Sequence, residues 1–416
     1  MDDWQRTAQE IEGLEHVPRG VIAYMRAGHS SAYPPIFEGA SGVYATAAGG
    51  RRYLDWVMGK GPLTFGHARE EIDRAAFEAA RRGQLRPGLS PDYGAVAAQL
   101  ARLVPPMRSS AFAKNGSDAV AIALRLARVF TGRGWVLSSG YHGWDERVSP
   151  SGAVDATLPA RDAGVADFGY DLERLAAVLA ADGDRVAAVL VSPEPAFLGA
   201  PFLEEVASLA RGAGALFCVD EVRCGFRVAP GGAHALFGVE PDLVCLSKGL
   251  TNGYPLAAVG GREDVMASSR DTFIFGTYYG EAASLAAARV CLSLTEAERP
   301  HEAIAAVGAR LSEAMDAAFA EHGVHAHVLG PPSMPTFLFA EPEDEARFFA
   351  GAVDAGVLFF QDDAQCPSAA HEVAHVDETL RALGPVLAGL GRPARPASAS
   401  AETVDRYARR RGILRG

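Results

Sequence analysis

Of the 39 basic residues in this chain only three are lysines, Lys60, Lys114 and Lys248. Where arginine carries nearly all of the positive charge, each lysine is a candidate for chemistry that a guanidinium cannot perform, because an amine can lose its proton and attack a carbonyl. Lys248, in Leu246-Ser247-Lys248-Gly249, follows an apolar run and is placed to form an imine with an aldehyde cofactor held over a sheet edge. The plain alternative is a surface lysine after a strand. Asp220, in Phe217-Cys218-Val219-Asp220-Glu221-Val222, ends a second apolar run. A carboxylate there is desolvated unless it meets a cation, and a protonated pyridine nitrogen is such a cation. Glu221 beside it reads as the solvated or salt-bridged member of the pair.

Two more motifs complete the set. Asn115-Gly116-Ser117 is a turn feeding a helix, so Gly116, Ser117 and the first helical N–H groups form an anion site suited to phosphate. An ordinary N-cap would use the same residue types. Tyr141, in Gly140-Tyr141-His142-Gly143-Trp144, offers an aromatic face flanked by glycines, with room for a flat ring to stack. Sites for phosphate, ring and imine together specify pyridoxal 5'-phosphate.

These residues need a scaffold that gathers them. Val120, Ile122, Leu124, Leu126 and Phe130 mark a helix over 118–130, and Val186–Val191, Ala215–Val219 and Leu243–Leu246 read as buried strands. A helical pattern, Phe202–Arg211, lies between the first two strands. This alternation predicts a parallel sheet, whose ligands sit beyond the carboxyl ends of the strands. Glu194, Asp220 and Lys248 follow those ends at intervals of 26 and 28 residues, one crossover unit each. Beyond Pro300 the texture shifts to a helix (Ile304–Phe319), a strand-like stretch (Thr336–Phe339) and another helix (Glu378–Leu390), an α+β unit. Gly391–Ser400 reads as a linker to a basic tail.

Composition excludes several classes. With 416 residues, 49% of them hydrophobic, the chain is long enough for two packed units, and its 45 glycines follow no collagen-like period. A net charge of −12 disfavours nucleic acid, and Arg409-Arg410-Arg411 reads as a solvated tail. No apolar run is long enough to span a membrane and the first residues are acidic, so a cytoplasmic location is expected. The five cysteines form no C-x-x-C pair and read as small buried hydrophobes. His325 and His327 alternate with Val324, Ala326 and Val328, the polar face of a strand rather than a metal site.

The motifs together resemble the class III, fold type I pyridoxal-phosphate aminotransferases, on the branch of glutamate-1-semialdehyde aminomutase, from about Gly20 to Leu390. They are Gly61-Pro62-Leu63-Thr64-Phe65-Gly66-His67, Asn115-Gly116-Ser117-Asp118-Ala119, Tyr141-His142-Gly143, Glu194-Pro195, Asp220-Glu221-Val222 with Gly225-Phe226-Arg227, and Lys248. The resemblance implies an α/β fold with a large, mostly parallel cofactor domain over 63–300 and a smaller α+β domain from 1–62 and 301–390, with 391–416 as linker and tail. It implies Lys248 as the cofactor-bound amine and proton shuttle, Asp220 under the ring nitrogen, Val222 and Tyr141 on the ring faces with His142 in the same motif, and Gly116 and Ser117 at the phosphate. Glu194 falls near the cofactor's phenolic side. Thr277 matches a threonine that reaches the phosphate of a neighbouring subunit, which implies a homodimer with shared sites. Arg26 matches an arginine that grips a substrate carboxylate, and Trp144 is grouped with the substrate pocket.

Departures from the mutase pattern bear on the substrate. Thr251-Asn252-Gly253-Tyr254-Pro255 follows the lysine, Tyr278-Tyr279-Gly280-Glu281 is bulkier than the small residues of the mutases, and the loop after Trp144 is unlike theirs. These differences favour a two-substrate aminotransferase, with L-glutamate as donor and an aldehyde or keto group on a sugar or natural-product intermediate as acceptor. The rivals are an aminomutase-type isomerase and a non-catalytic binding protein.

Overall fold

The structure is a computed structural model describing residues 36–143, 164–361, 363–390 and 401–410. Two compact units divide the chain. The smaller takes the residues up to Lys60, Phe65–Ala68 and Ile304–Val404; the larger takes Gly61–Thr64, Arg69–Ala303 and the chain end from Asp405.

In the smaller unit, β1 (Phe37–Ser41), β2 (Tyr44–Ala47) and β3 (Arg52–Asp55) form an antiparallel meander, and β13 (Val357–Leu358) adds parallel to β3. An antiparallel pair, β11 (Ala326–Leu329) and β12 (Thr336–Phe339), stands apart from that sheet. On β11, Ala326 and Val328 are buried while His327 turns to Asp316, Nδ1 to Oδ1 3.1 Å, the polar face that alternation implied. The core is aromatic: Phe319, Phe337, Phe339, Phe348 and Phe359 meet mostly edge to face, with Phe337 and Phe359 centroids 5.0 Å apart. Against Trp56 lies His371, stacked at 4.1 Å and buried. Its Nδ1 accepts from the Ser368 N–H at 3.0 Å, so the ring is neutral.

The larger unit is a seven-stranded sheet in the order β4-β10-β9-β8-β7-β5-β6. The strands are β4 (Ser109–Ala113), β5 (Trp135–Ser139), β6 (Val165–Asp167), β7 (Val186–Val191), β8 (Leu216–Asp220), β9 (Leu243–Leu246) and β10 (Ala257–Gly261). Pairing from β9 through β6 is parallel, and β10 runs antiparallel to both of its neighbours. This is the mostly parallel α/β sheet that the sequence resemblance implied for the larger domain. Every residue of β7, β8, β9 and β10 is buried, as expected where helices cover both faces. The helix Gly116–Thr131 packs across β7 to β10 through Val120, Ile122, Ala123, Leu124, Leu126 and Ala127. The chain end departs from a plain linker and tail: Ala401–Arg410 is helical, and Ala408 joins the core cluster of Phe217 and Val219. Thr403, Tyr407 and Ala408, four and five residues apart, give that helix one buried side. No helix among the described residues is long and apolar enough to cross a membrane.

The buried imidazole gives the smaller unit a titration. Burial, opposed by the Asp55 carboxylate and reinforced by His375, pushes His371 down to about 3 from an ordinary 6.5. The unfolded chain therefore binds the extra proton. The contribution to stability is complete above about pH 6.5 and is lost as pH falls toward 3, by about 1.4 kcal/mol per pH unit. Urea unfolding between pH 7 and pH 4 is expected to show a shallower decline for His371→Gln than for the wild type; identical slopes would exclude His371 as the source.

Candidate active site

Because β7, β8 and β9 are adjacent and parallel, their carboxyl ends lie side by side. Asp220 is the last residue of β8, paired in register with Cys245 of β9, and is 3% exposed. Its Oδ1 accepts from the Val222 N–H at 3.1 Å, and its Oδ2 lies 2.9 Å from His142 Nδ1. His142, itself buried, arrives from the loop after β5, the other neighbour of β7. With the carboxylate ionised, Nδ1 is the donor, so the imidazole fixes the carboxylate's orientation. His142 Nε2 is buried without a partner, leaving Asp220 as that ring's single anchor among the described residues.

Tyr141 precedes this histidine and is 63% exposed. Desolvation and then the Asp220 charge raise its phenol pKa, which places the ring in the field of that carboxylate. Gly140, at φ +102°, tolerates no side chain, since a Cβ would fall 2.2 Å from the Tyr170 hydroxyl. Two further close approaches gather the remaining motifs. A Cβ on Gly116 would lie 2.9 Å from both Val222 methyls, and one on Gly143 would lie 1.8 Å from Ser117 Oγ. The turn Gly116-Ser117, the β8 exit at Val222 and the β5 exit at Gly143 are therefore in contact. Gly116 and Ser117 are the first residues of their helix, so their N–H groups have no intrahelical acceptor.

Lys248 begins a short 3-10 turn beyond β9, and Ser247, whose hydroxyl donates to the Leu256 carbonyl at 2.8 Å, sets its start. Gly249 beneath it is crowded, a Cβ there meeting the Gly225 carbonyl, Phe226 and the Thr64 methyl at 3.0 to 3.2 Å. Glu194, beyond β7, accepts from Arg223 Nη1 at 2.6 Å. The charges of Glu194, Arg223 and Lys248 all act on the buried Cys224 thiol, whose pKa burial pushes well up, so these groups share one neighbourhood. The structure thus brings together two sets: Asp220, His142, Tyr141, Val222, Gly116 and Ser117, and, around Cys224, Glu194 and Lys248.

Others fall elsewhere. Thr277 is exposed on a turn closed by the Tyr279 N–H to Gly276 carbonyl bond at 3.0 Å, and no described contact joins it to the Asp220 group. Arg26 and Trp144 lie outside the described residues. Of the two readings of Glu221, solvated or salt-bridged, the structure excludes the first and fits the second: it is wholly buried, accepting from the Ala233 and His234 N–H groups at 2.8 and 2.7 Å and paired with the His234 ring at 3.0 Å. It caps the turn Ala233–Phe237, whose N–H groups need an acceptor. Sequence reasoning missed Arg223, whose signal was a cation three residues past Asp220, the carboxylate that ends a buried strand. It also missed that Lys114 faces Glu281. All five cysteines are buried.

The donor set suits one group. A buried, oriented carboxylate, an amine at the end of a neighbouring strand, and a glycine turn that a single Cβ would block match the pyridinium, aldehyde and phosphate ends of pyridoxal 5'-phosphate. A profile of the aminotransferase class-III family matches residues 25–366. The chain belongs to that family. As a class-III aminotransferase it is an enzyme, and its cofactor is pyridoxal 5'-phosphate. It is 34% identical over 93% of its length to 98% of the 2'-deamino-2'-hydroxyneamine transaminase of Streptomyces kanamyceticus. It is 33% identical over 93% of its length to the whole of a glutamate-1-semialdehyde 2,1-aminomutase of Thermus thermophilus. The FumI protein of Sphingopyxis sp. MTA144, solved in its PLP internal aldimine form, superposes at a TM-score of 0.83, with 30% identity over 93% of this chain and 95% of that one.

Glu221→Ala removes the acceptor of three buried donors and is expected to cost about 3 kcal/mol or more. Thermal unfolding should show a fall of several degrees in Tm; an unchanged Tm would remove Glu221 from the frame of the site.

Proposed function

We propose that this aminotransferase takes an amino group from an amino-acid donor, L-glutamate, and delivers it to an aldehyde or keto group of a sugar-like or natural-product acceptor, in two half-reactions of ping-pong order. The observation that carries the reading is the buried Asp220 carboxylate, oriented by His142 and in contact through Val222 with the helix-start turn. When bound, pyridoxal phosphate supplies a carbonyl that accepts the amino group and an electron-withdrawing ring. In this reading Asp220 holds a proton on the ring nitrogen, and His142 holds Asp220. The Gly116 and Ser117 N–H groups bind the phosphate at the positive end of their helix. Val222 and Tyr141 cover the two ring faces, and Glu194, tied to Arg223, stands toward the phenolic side. The Lys248 amine would hold the cofactor, and its Nζ would carry the proton released from the donor α-carbon. Arg26 and Trp144 are assigned to substrate, and Thr277 to the phosphate of a partner subunit in a cytoplasmic homodimer.

The acceptor class is supported by the full-length likeness to a transaminase named for an aminoglycoside substrate, and by bulky Tyr278 and Tyr279 beside Thr277. A second reading, an aminomutase that keeps one substrate throughout, is supported by the 33% identity to glutamate-1-semialdehyde aminomutase. The two differ in whether a separate acceptor is consumed. Assays with L-glutamate and a panel of aldehyde and keto sugars are expected to release 2-oxoglutarate in step with aminated product. Conversion of glutamate-1-semialdehyde without any added acceptor would select the mutase instead.

Lys248→Ala is expected to lower turnover by roughly three orders of magnitude or more while the protein still takes up cofactor, and Asp220→Asn by more than about tenfold. Wild-type rates in Lys248→Ala would reject the mechanism.

A further inference from the structure

Lys114 is the second of the three lysines, and it is not at the amine end of the site. It stands between the last residue of β4 and the helix start Asn115-Gly116-Ser117. Its Nζ lies 2.7 Å from Glu281 Oε1, and both side chains are largely buried, 13% and 9% exposed. Glu281 is anchored in turn. It is the N-cap of the helix Ala282–Glu298, accepting from Ser284 N–H on Oε1 and Ala283 N–H on Oε2. The first turn of that helix is itself fixed: the Gln84 carbonyl takes the Ala282 N–H at 3.0 Å, and Ala282 and Ala286 pack on Ala75 and Ala79. The carboxylate is therefore a rigid fixture, and the lysine is the element drawn to it.

A buried ion pair adds little net stability over apolar residues of similar size, because desolvating both charges offsets their attraction; its best-attested use is to fix register. Here the register concerns the turn at Gly116-Ser117. One residue after Lys114 the Asn115 N–H donates to Asp118 Oδ2 at 3.1 Å, two residues after it Gly116 abuts Val222, and three residues after it Ser117 abuts Gly143. Contacts thus hold the turn from its helix side and from the β8 and β5 exits; on the β4 side the strand pairing ends at Ala113, opposite Ala257, and Lys114 is the next residue, its side chain tied to Glu281.

We infer that the Lys114–Glu281 pair is a positioning device for the phosphate-binding turn, setting the direction of the Gly116 and Ser117 N–H groups without touching the phosphate. The inference rests on the reading of that turn as the phosphate site. It predicts that disrupting the pair weakens binding of a ligand carrying the phosphate far more than of the same ring without it.

The test uses full-length protein stripped of cofactor, titrated separately with pyridoxal 5'-phosphate and with pyridoxal, and followed by absorbance. Wild type is expected to prefer the phosphorylated ligand strongly. Lys114→Met and Glu281→Gln, the latter keeping an oxygen to cap the Ala282 helix, should each raise the Kd for pyridoxal phosphate about tenfold or more, with pyridoxal changing less than about twofold. Equal losses for both ligands, or no loss for either, would overturn the positioning role. Ser117→Pro, which removes one of those N–H groups from the first turn of the helix, separates the two claims: if it keeps the wild type's preference for the phosphorylated ligand, the turn is not the phosphate site and the inference falls with it. If Ser117→Pro costs phosphate affinity while both pair variants do not, only the role of the pair falls.

Discussion

A carboxylate buried at the carboxyl edge of a parallel sheet is the constraint around which this enzyme is arranged. Asp220 is 3% exposed, and a buried carboxylate is costly unless its oxygens are hydrogen-bonded. It is matched from within the chain by the Val222 N–H on one oxygen and the His142 ring on the other. Those partners come from the β8 exit and from the β5 exit one strand beyond β7, so orienting one carboxylate requires that the sheet order be right across β8, β7 and β5. Val222 then carries the constraint to Gly116, and Gly143, next to His142, carries it to Ser117. Moving any of these backbones would disturb several of the others, which is why the close approaches fall on glycines.

Lysine usage follows the same logic. Lys60 lies at positive φ over the Phe360 ring in the smaller unit, Lys114 closes a buried ion pair, and Lys248 stands past β9 in the neighbourhood of Glu194 and Arg223. Rarity in the sequence flagged all three as special, but only position separates a structural amine from a reactive one. Glu221 and Asp220 make the parallel case among acids: adjacent in sequence, both buried, one turned to cap a neighbouring turn and the other to the site.

Much of the larger unit was legible from periodicity. Val186–Val191 and Leu243–Leu246 are strands over those residues, Ala215–Val219 shifted by one to Leu216–Asp220, and the helix read from its apolar face runs Gly116–Thr131. Continuous apolar runs ending in Asp220 and before Lys248 give both the strands and the residues to inspect. What stayed hidden lacked a local signal. β10, Ala-Ala-Val-Gly-Gly, carries no strand pattern because its glycines admit close neighbours; a Cβ on Gly260 would lie 2.6 Å from Met107 and 2.7 Å from the Ser109 carbonyl. The pairing of Lys114 with Glu281 spans 167 residues, and that of Arg223 with Glu194 depends on two strand exits meeting. Neither is written in any window of sequence.

The central claim, amino transfer through a cofactor held by Lys248 and Asp220, is tested most directly by a half-reaction. Purified holoenzyme is mixed with L-glutamate and no acceptor, and the yellow absorbance of the bound cofactor is followed together with the 2-oxoglutarate released. The account predicts that the colour bleaches and that one 2-oxoglutarate appears per bound cofactor. A yellow band unmoved by L-glutamate and by a wider panel of amino-acid donors, with no keto acid formed, would contradict it.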